Sequence, residues 1–167
     1  PCHWPLVFPE VFTGDRRQGF DALVGNPPFI GGQLQKQALG KAVKEYLCRF
    51  VDRQGGGSAD LVAYFFLLAA RVCQVDGGFG FIATKTIAEG RSRKVGIEQL
   101  INQGWTVYRA IRSRYWPGSA NVVIAQVWMS KQEWETDSIL DDRVVRGVTA
   151  ALRRRGRVDG QPFALAE

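Results

Sequence analysis

The sequence is poor in the residues that usually build metal and disulfide sites. Histidine occurs once, at His3, so Cys2-His3 has no second histidine to help complete the roughly four ligands of a zinc site. Cysteine occurs three times, at Cys2, Cys48 and Cys73. An odd count, with Cys48 and Cys73 on expected apolar helix faces, fits a reducing interior rather than a disulfide framework. No apolar run reaches membrane-spanning length and no signal peptide is visible, so no membrane partner is expected and the cytoplasm is the expected location. A Walker phosphate loop is missing as well, because Gly55-Gly56-Gly57 has neither a preceding strand nor a Gly-Lys-Ser/Thr ending. Methionine occurs once, at Met129, and residue 1 is proline, which reads as a portion of a longer polypeptide.

What is present describes a globular chain. Its 167 residues are enough for one domain, and 46% hydrophobic with 23% charged residues excludes a disordered chain. A net charge of +6 favours a polyanionic partner.

The stretch that organises the chain runs from Phe20 to Phe29. Ala22, Leu23 and Val24 form a continuous apolar run, as in a strand covered on both faces. Asn26, Pro27, Pro28 and Phe29 follow Gly25. Each proline fixes its own φ and pushes the residue before it into an extended conformation, so Asn26 is aimed by a stiff backbone. This suits methylation of an amino group on a flat ring. Such a nitrogen is a poor nucleophile because its lone pair is delocalised into the ring. Two acceptors on its two hydrogens, the Asn26 side-chain oxygen and the Pro27 carbonyl, draw it toward tetrahedral geometry. Phe29 stacks on the ring, a contact worth ~1–3 kcal/mol per base in nucleic-acid sites. A base in a duplex has to be flipped out to be reached. The methyl donor is then a sulfonium, which needs no metal.

Asn26-Pro27-Pro28-Phe29 after an apolar strand resembles the catalytic motif of amino-methyltransferases, above all DNA adenine-N6 methyltransferases of the restriction–modification and phage-defence type. Two further stretches carry the likeness. Residues 4–12 resemble the segment before the catalytic strand. Asp60-Leu61-Val62-Ala63-Tyr64-Phe65, then a helix, Gly77-Gly78 and Phe81-Ile82-Ala83-Thr84, resemble the segment after the motif. The resemblance implies an α/β fold: part of a Rossmann-like class I methyltransferase, from the catalytic strand onward. Its sheet is mostly parallel with a C-terminal antiparallel hairpin, and helices lie on both faces. It also implies S-adenosylmethionine as cofactor, DNA as substrate, and Asn26 and Phe29 as residues that touch the donor.

Along the chain, residues 14–19 read as a turn. An amphipathic helix is expected over about residues 35–53, with Ala38/Leu39, Ala42/Val43, Tyr46/Leu47 and Phe50/Val51 forming one apolar stripe. Its off-stripe cations, Lys36, Lys41, Lys44, Arg49 and Arg53, face either phosphates or solvent. A second helix, over residues 59–74, is apolar nearly all round and therefore buried, with Ser58 as its N-cap. A strand over 79–84 leads into a basic loop carrying Lys85, Arg91 and Arg93. Functional loops in open α/β sheets lie beyond the carboxyl ends of the strands, which puts that loop at the edge where Asn26 lies. A short helix over 94–103 stops at Gly104, and strands over 105–111 and 121–129 pair as a hairpin. Their connection, with Arg112, Arg114 and Trp116, either grips a nucleic-acid strand or plugs the end of the sheet. Residues 131–142 read as irregular, and 141–155 as a last helix with Val144, Val145, Val148, Ala151 and Leu152 on one face.

Residues 1–130 are accordingly expected to be the C-terminal half of a methyltransferase catalytic domain, and 131–167 a polar linker and helix leading out of it. The glycine-rich cofactor loop that follows the first strand in this class is absent, so the expected partners include the N-terminal half of the same protein and a target-recognition domain or subunit. The isolated chain is expected to be inactive. Two alternatives stay open. One is the same chemistry on RNA guanine-N2 or protein glutamine; the other is a non-enzymatic DNA-binding or assembly fragment.

Overall fold

The structure, a computed structural model, describes residues 4–13, 18–52, 59–117, 122–132 and 134–156. Cys2, His3, the turn at 14–17, the glycines at 55–57, Ser58, residues 118–121 and the segment 157–167 lie outside the described residues.

Two four-residue helices, α1 (Trp4–Val7) and α2 (Pro9–Phe12), precede β1 (Phe20–Gly25). They pack where expected, on the start of the strand. Trp4, Phe8 and Phe12 each set a ring edge-to-face against Phe20, with centroids 5.4, 5.7 and 5.4 Å away.

The expected long helix over 35–53 is broken. Gly40, at φ +83°, separates α3 (Gln35–Leu39) from α4 (Lys41–Tyr46), and α4 runs on into a π-helical turn, Leu47–Val51. The break splits the apolar stripe. Leu47 and Val51 are buried, whereas Val43, Tyr46 and Phe50 stay exposed. The buried helix is α5 (Leu61–Val72), and its N-cap is Asp60, two residues after the expected Ser58.

Strand β2 (Cys73–Thr84) is twice the expected length, so Cys73 opens a strand instead of closing a helix. It pairs parallel with β1, with a register shift between Phe20 and Ala22. The glycines expected to end the helix sit in that irregularity. A Cβ on Gly77 would lie 2.7 Å from the Phe20 carbonyl oxygen, so only glycine lets the two backbones approach. After a 3-10 turn (Lys85–Ala88), α6 (Gly90–Arg93), a π turn (Lys94–Glu98) and α7 (Gln99–Ile101) make one continuous helical run. The expected basic loop is therefore largely helical. Gly104, at φ +87°, stops the run as its sequence position foretold.

β3 (Thr106–Tyr115) and β4 (Val123–Ser130) form the expected antiparallel hairpin. The last expectation fails: residues 138–145 form a second hairpin, β5 (Ser138–Leu140) and β6 (Arg143–Val145), and no helix forms over 141–155. The sheet order is β1-β2-β4-β3-β5-β6. Strands β1, β2, β3 and β5 point one way and only β4 and β6 run against them.

The core lies on one face of this sheet. Phe79, Phe81 and Ala83 of β2, Ala125, Val127 and Met129 of β4, and Val107 of β3 meet Phe66 of α5 and Ile97 and Leu100 of the 90–101 helical run. The cover expected over both faces of β1 is not found among the described residues: Ala22 and Val24 are exposed on the opposite face. Val24 is 87% exposed there. A cavity of about 290 Å³ lies beside it, walled by Ala22, Gly80, Tyr108, Trp128 and Trp134. No helix among the described residues is long and apolar enough to cross a membrane.

Candidate functional site at the carboxyl edge of the sheet

Asn26 follows β1 directly, so the 26–29 motif begins at the carboxyl end of a strand. β1 ends with Gly25 opposite Phe81, and β2 continues three residues further to Thr84. The motif therefore runs beside the last residues of β2. Pro27 is buried, while Asn26 and Pro28 are exposed and Phe29 is 37% exposed. The turn is closed behind the motif, where the Ile30 N–H donates to the Pro28 carbonyl at 3.2 Å. Phe29 thus projects from a tight three-residue turn.

The turn is tied to the start of α5 by two bonds. The Leu61 N–H donates to the Ile30 carbonyl at 2.9 Å, and the Gly32 N–H donates to Asp60 Oδ1 at 3.3 Å. Beyond it, the Leu34 N–H donates to Gly31, and Lys44 Nζ reaches the Gly32 carbonyl at 3.4 Å. Gln35 is fully buried and donates from Nε2 to the Ala59 carbonyl at 2.7 Å. The Asp-Leu-x-Ala-Tyr-Phe stretch, read from sequence only as a likeness, is what anchors the motif.

The basic residues expected to meet nucleic acid divide into two groups. Lys85, Arg93 and Arg112 line one cavity of about 510 Å³, together with Arg153, which the sequence places only in the last turn of the expected C-terminal helix. Because β1, β2 and β3 run the same way, this cavity lies at the edge that carries Asn26. Lys85 is exposed. Arg93 bonds Glu98 at 3.2 Å on a partly exposed surface, where a pair contributes little and leaves the cation available. Arg112 donates to Asp141 at 2.6 Å. Burial works against the Asp141 charge, but the N–H and guanidinium of Arg112 outweigh it and hold the carboxyl below its ordinary range.

Arg91 and Arg114 stand differently. Arg91 donates to Asp52 at 2.8 Å, and the Asp52 side chain is fully buried. Gln99 Nε2 supplies the same carboxylate at 3.0 Å and the Asp52 carbonyl at 3.0 Å. That is a buried anion held by its partners, and it ties Arg91 to the interior. Arg114 reaches Asp142 at 3.3 Å on the bulged end of β3, and the same carboxylate takes Arg109 at 3.0 Å. Trp116 is half-buried, and its N–H donates to the Val122 carbonyl at 2.9 Å, closing the connection. Tyr115 beside it is 73% exposed.

Nearby, Tyr64 is fully buried with its hydroxyl 3.6 Å from Cys48 Sγ; burial, then the thiol, pushes the phenol well above its usual range. Among the described residues no group of His, Cys, Asp or Glu could hold a metal ion. A glycine-rich turn after a strand, with an acidic residue closing the next strand, is not found among the described residues either. Gly77, Gly78 and Gly80 lie inside β2, and Gly31 and Gly32 lead into α3.

The fold has counterparts among solved structures. A structure of the type IIL restriction–modification enzyme MmeI in complex with DNA aligns with a TM-score of 0.67 at 20% identity, covering 82% of this chain and 20% of that one. A putative class I S-adenosylmethionine-dependent methyltransferase from Listeria monocytogenes aligns with a TM-score of 0.54 at 12% identity, covering 73% of this chain and 36% of that one. The chain thus spans about a fifth and about a third of those two proteins. No curated protein matches at a significant level. The sequence profile of the family described as "MmeI, DNA-methyltransferase domain" matches residues 2–139, most of the chain, and the chain belongs to that family.

Proposed function

We propose that this chain is the acceptor-handling half of a DNA adenine-N6 methyltransferase of the restriction–modification type. The observation that carries the proposal is the placement of Asn26 and Phe29, exposed on a tied-down turn at the carboxyl edge of the sheet. Membership of a DNA-methyltransferase family and the basic cavity on that edge support the same reading. Bound S-adenosylmethionine supplies an electrophilic methyl group. The residues here act on the acceptor: the Asn26 side-chain oxygen and the Pro27 carbonyl accept the two N–H bonds of the exocyclic amine, and Phe29 stacks on the flipped adenine. Lys85, Arg93, Arg112 and Arg153 take phosphates, which fixes register without reading sequence. Arg91 is left out of that set because Asp52 holds it. The open edge of β1 and the exposed Val24 are where further chain of the same protein packs and completes the cofactor site.

The test is product identification. The intact protein is incubated with methyl-labelled S-adenosylmethionine and, separately, duplex DNA, RNA and protein. Nucleosides and residues are then analysed by mass. N6-methyladenine from duplex DNA is expected. Methylcytosine, methylguanine or methylglutamine as the sole product overturns the assignment, and binding of DNA without any transfer favours a non-enzymatic role.

A further inference from the structure

Asp60 occupies the N-cap position of α5 with extended backbone (φ −62°, ψ 148°), yet its side chain caps nothing. An aspartate at this position ordinarily accepts an N–H of its own helix. Here both carboxylate oxygens are used elsewhere. Oδ1 accepts the Gly32 N–H at 3.3 Å, and Oδ2 accepts the Thr86 hydroxyl. Thr86 in turn shares a 2.7 Å bond with Thr84, the last residue of β2. The Asp60 N–H donates to the Ser92 hydroxyl oxygen of α6 at 2.9 Å, and the Leu61 N–H beside it donates to the Ile30 carbonyl. One residue therefore joins the loop behind the 26–29 motif, the end of the neighbouring strand and α6. A local preference has been given up at the place where the motif is held, which marks a functional constraint more readily than a packing accident.

Resting on the methyl-transfer reading above, we propose that Asp60 is a positioning residue that holds the Asn26–Phe29 turn in register with the end of β2. It touches no substrate. Its two bonds fix the angle at which the turn leaves the sheet, and so where the Asn26 oxygen and Pro27 carbonyl meet an acceptor nitrogen. A displacement of about 1 Å in such a pair can cost ~10²-fold in rate.

The intact protein is tested with Asp60→Ala and Asp60→Asn. The alanine variant loses both bonds. The asparagine variant keeps the Oδ1 acceptor for Gly32, and its amide donates to the Thr86 hydroxyl, which accepts as readily as it donates. Asp60→Ala is expected to lower kcat ~10²-fold while DNA affinity stays within about twofold, with Asp60→Asn recovering most of the loss. Hydrogen exchange over residues 28–34 is expected to accelerate in Asp60→Ala and not in Asp60→Asn, with α5 protection unchanged. If Asp60→Ala fails to fold, Thr86→Val removes the bond to Asp60 Oδ2, together with the one to Thr84, while leaving the Gly32 bond to Oδ1, and is expected to reduce kcat in the same direction, with faster exchange over 28–34. A folded Asp60→Ala enzyme with unchanged kcat, or unchanged exchange over 28–34, overturns the proposal. A wild-type enzyme that methylates no DNA overturns the underlying reading instead, and the exchange measurement still decides whether Asp60 holds the turn.

Discussion

Truncating Arg91 to methionine separates a structural cation from a phosphate-binding one. Asp52 has no exposed side-chain surface, and its carboxylate is held by Arg91 at 2.8 Å and by Gln99 at 3.0 Å. Removing one member of a buried ion pair leaves an uncompensated charge and typically costs ~3–5 kcal/mol. Arg91 keeps 31% of its side chain exposed, so water can reach Asp52 once the guanidinium is gone. The expected loss is therefore discounted to just below that range, ~2–3 kcal/mol. For a domain of this size each kcal/mol is ~2–4 °C, so the melting temperature of this domain in the intact protein is expected to fall by ~4–12 °C. Differential scanning calorimetry measures this, and DNA binding is followed in parallel well below the transition. Arg91→Lys, which keeps the charge, is expected to lose less. A melting temperature unchanged to within about 1 °C, together with weakened DNA binding, would refute the structural assignment and return Arg91 to the phosphate-binding set.

Lys85→Ala and Arg153→Ala are each expected to leave the melting temperature unchanged and to reduce the salt slope of DNA binding by ~1, since each removes one phosphate contact. Phe66→Ala, at a fully buried position among Phe79 and Phe81, is expected to destabilise by ~3–5 kcal/mol in denaturant melts. Burial pushes the Cys73 thiol from 9.0 to about 11, so alkylation at pH 8 is expected to be slow and to rise toward pH 11. Because the folded state holds that proton more tightly than the unfolded chain, its stabilising contribution is complete below pH 9 and fades as pH climbs through about 11. Val24→Lys is expected to cost ~1.5–3 kcal/mol in the intact protein if further chain covers β1, and to stay within ~0.5 kcal/mol if that face meets solvent.

The parts of the fold that were legible carry local signals that agree with one another. The apolar run at 22–24 ends in Gly-Asn-Pro-Pro, and the structure has a strand that ends there. Gly104 marked a helix stop, and the Val/Ile-rich stretch after residue 121 is β4. The failures have physical causes. Val144, Val145, Val148, Ala151 and Leu152 fall at helical spacing, but Asp141 and Asp142 adopt φ of +50° and +60° and turn the chain back on itself. Aspartate tolerates that region, and two successive positive φ values fit a tight hairpin. Arg112 helps hold it by bonding Asp141 through both its backbone N–H and its guanidinium. The β-branched Ile139, Val144 and Val145 were the available strand signal, and helical periodicity masked it. Gly40 likewise stood inside an apparent helix and breaks it. At the site, the position of residues 26–29 directly after a strand was legible. The use of Asp60 was not, because its partners Gly32, Thr86 and Ser92 are 26 to 32 positions away.

The account rests on an acceptor pair held at the sheet's edge, and single-turnover methyl transfer by the intact protein carrying Asn26→Ala tests it most directly. The expected result is a rate reduced at least ~10²-fold, the usual cost of removing one hydrogen-bonding group aimed at developing charge, with DNA affinity retained. Turnover within about threefold of wild type, with N6-methyladenine still the product, would contradict it.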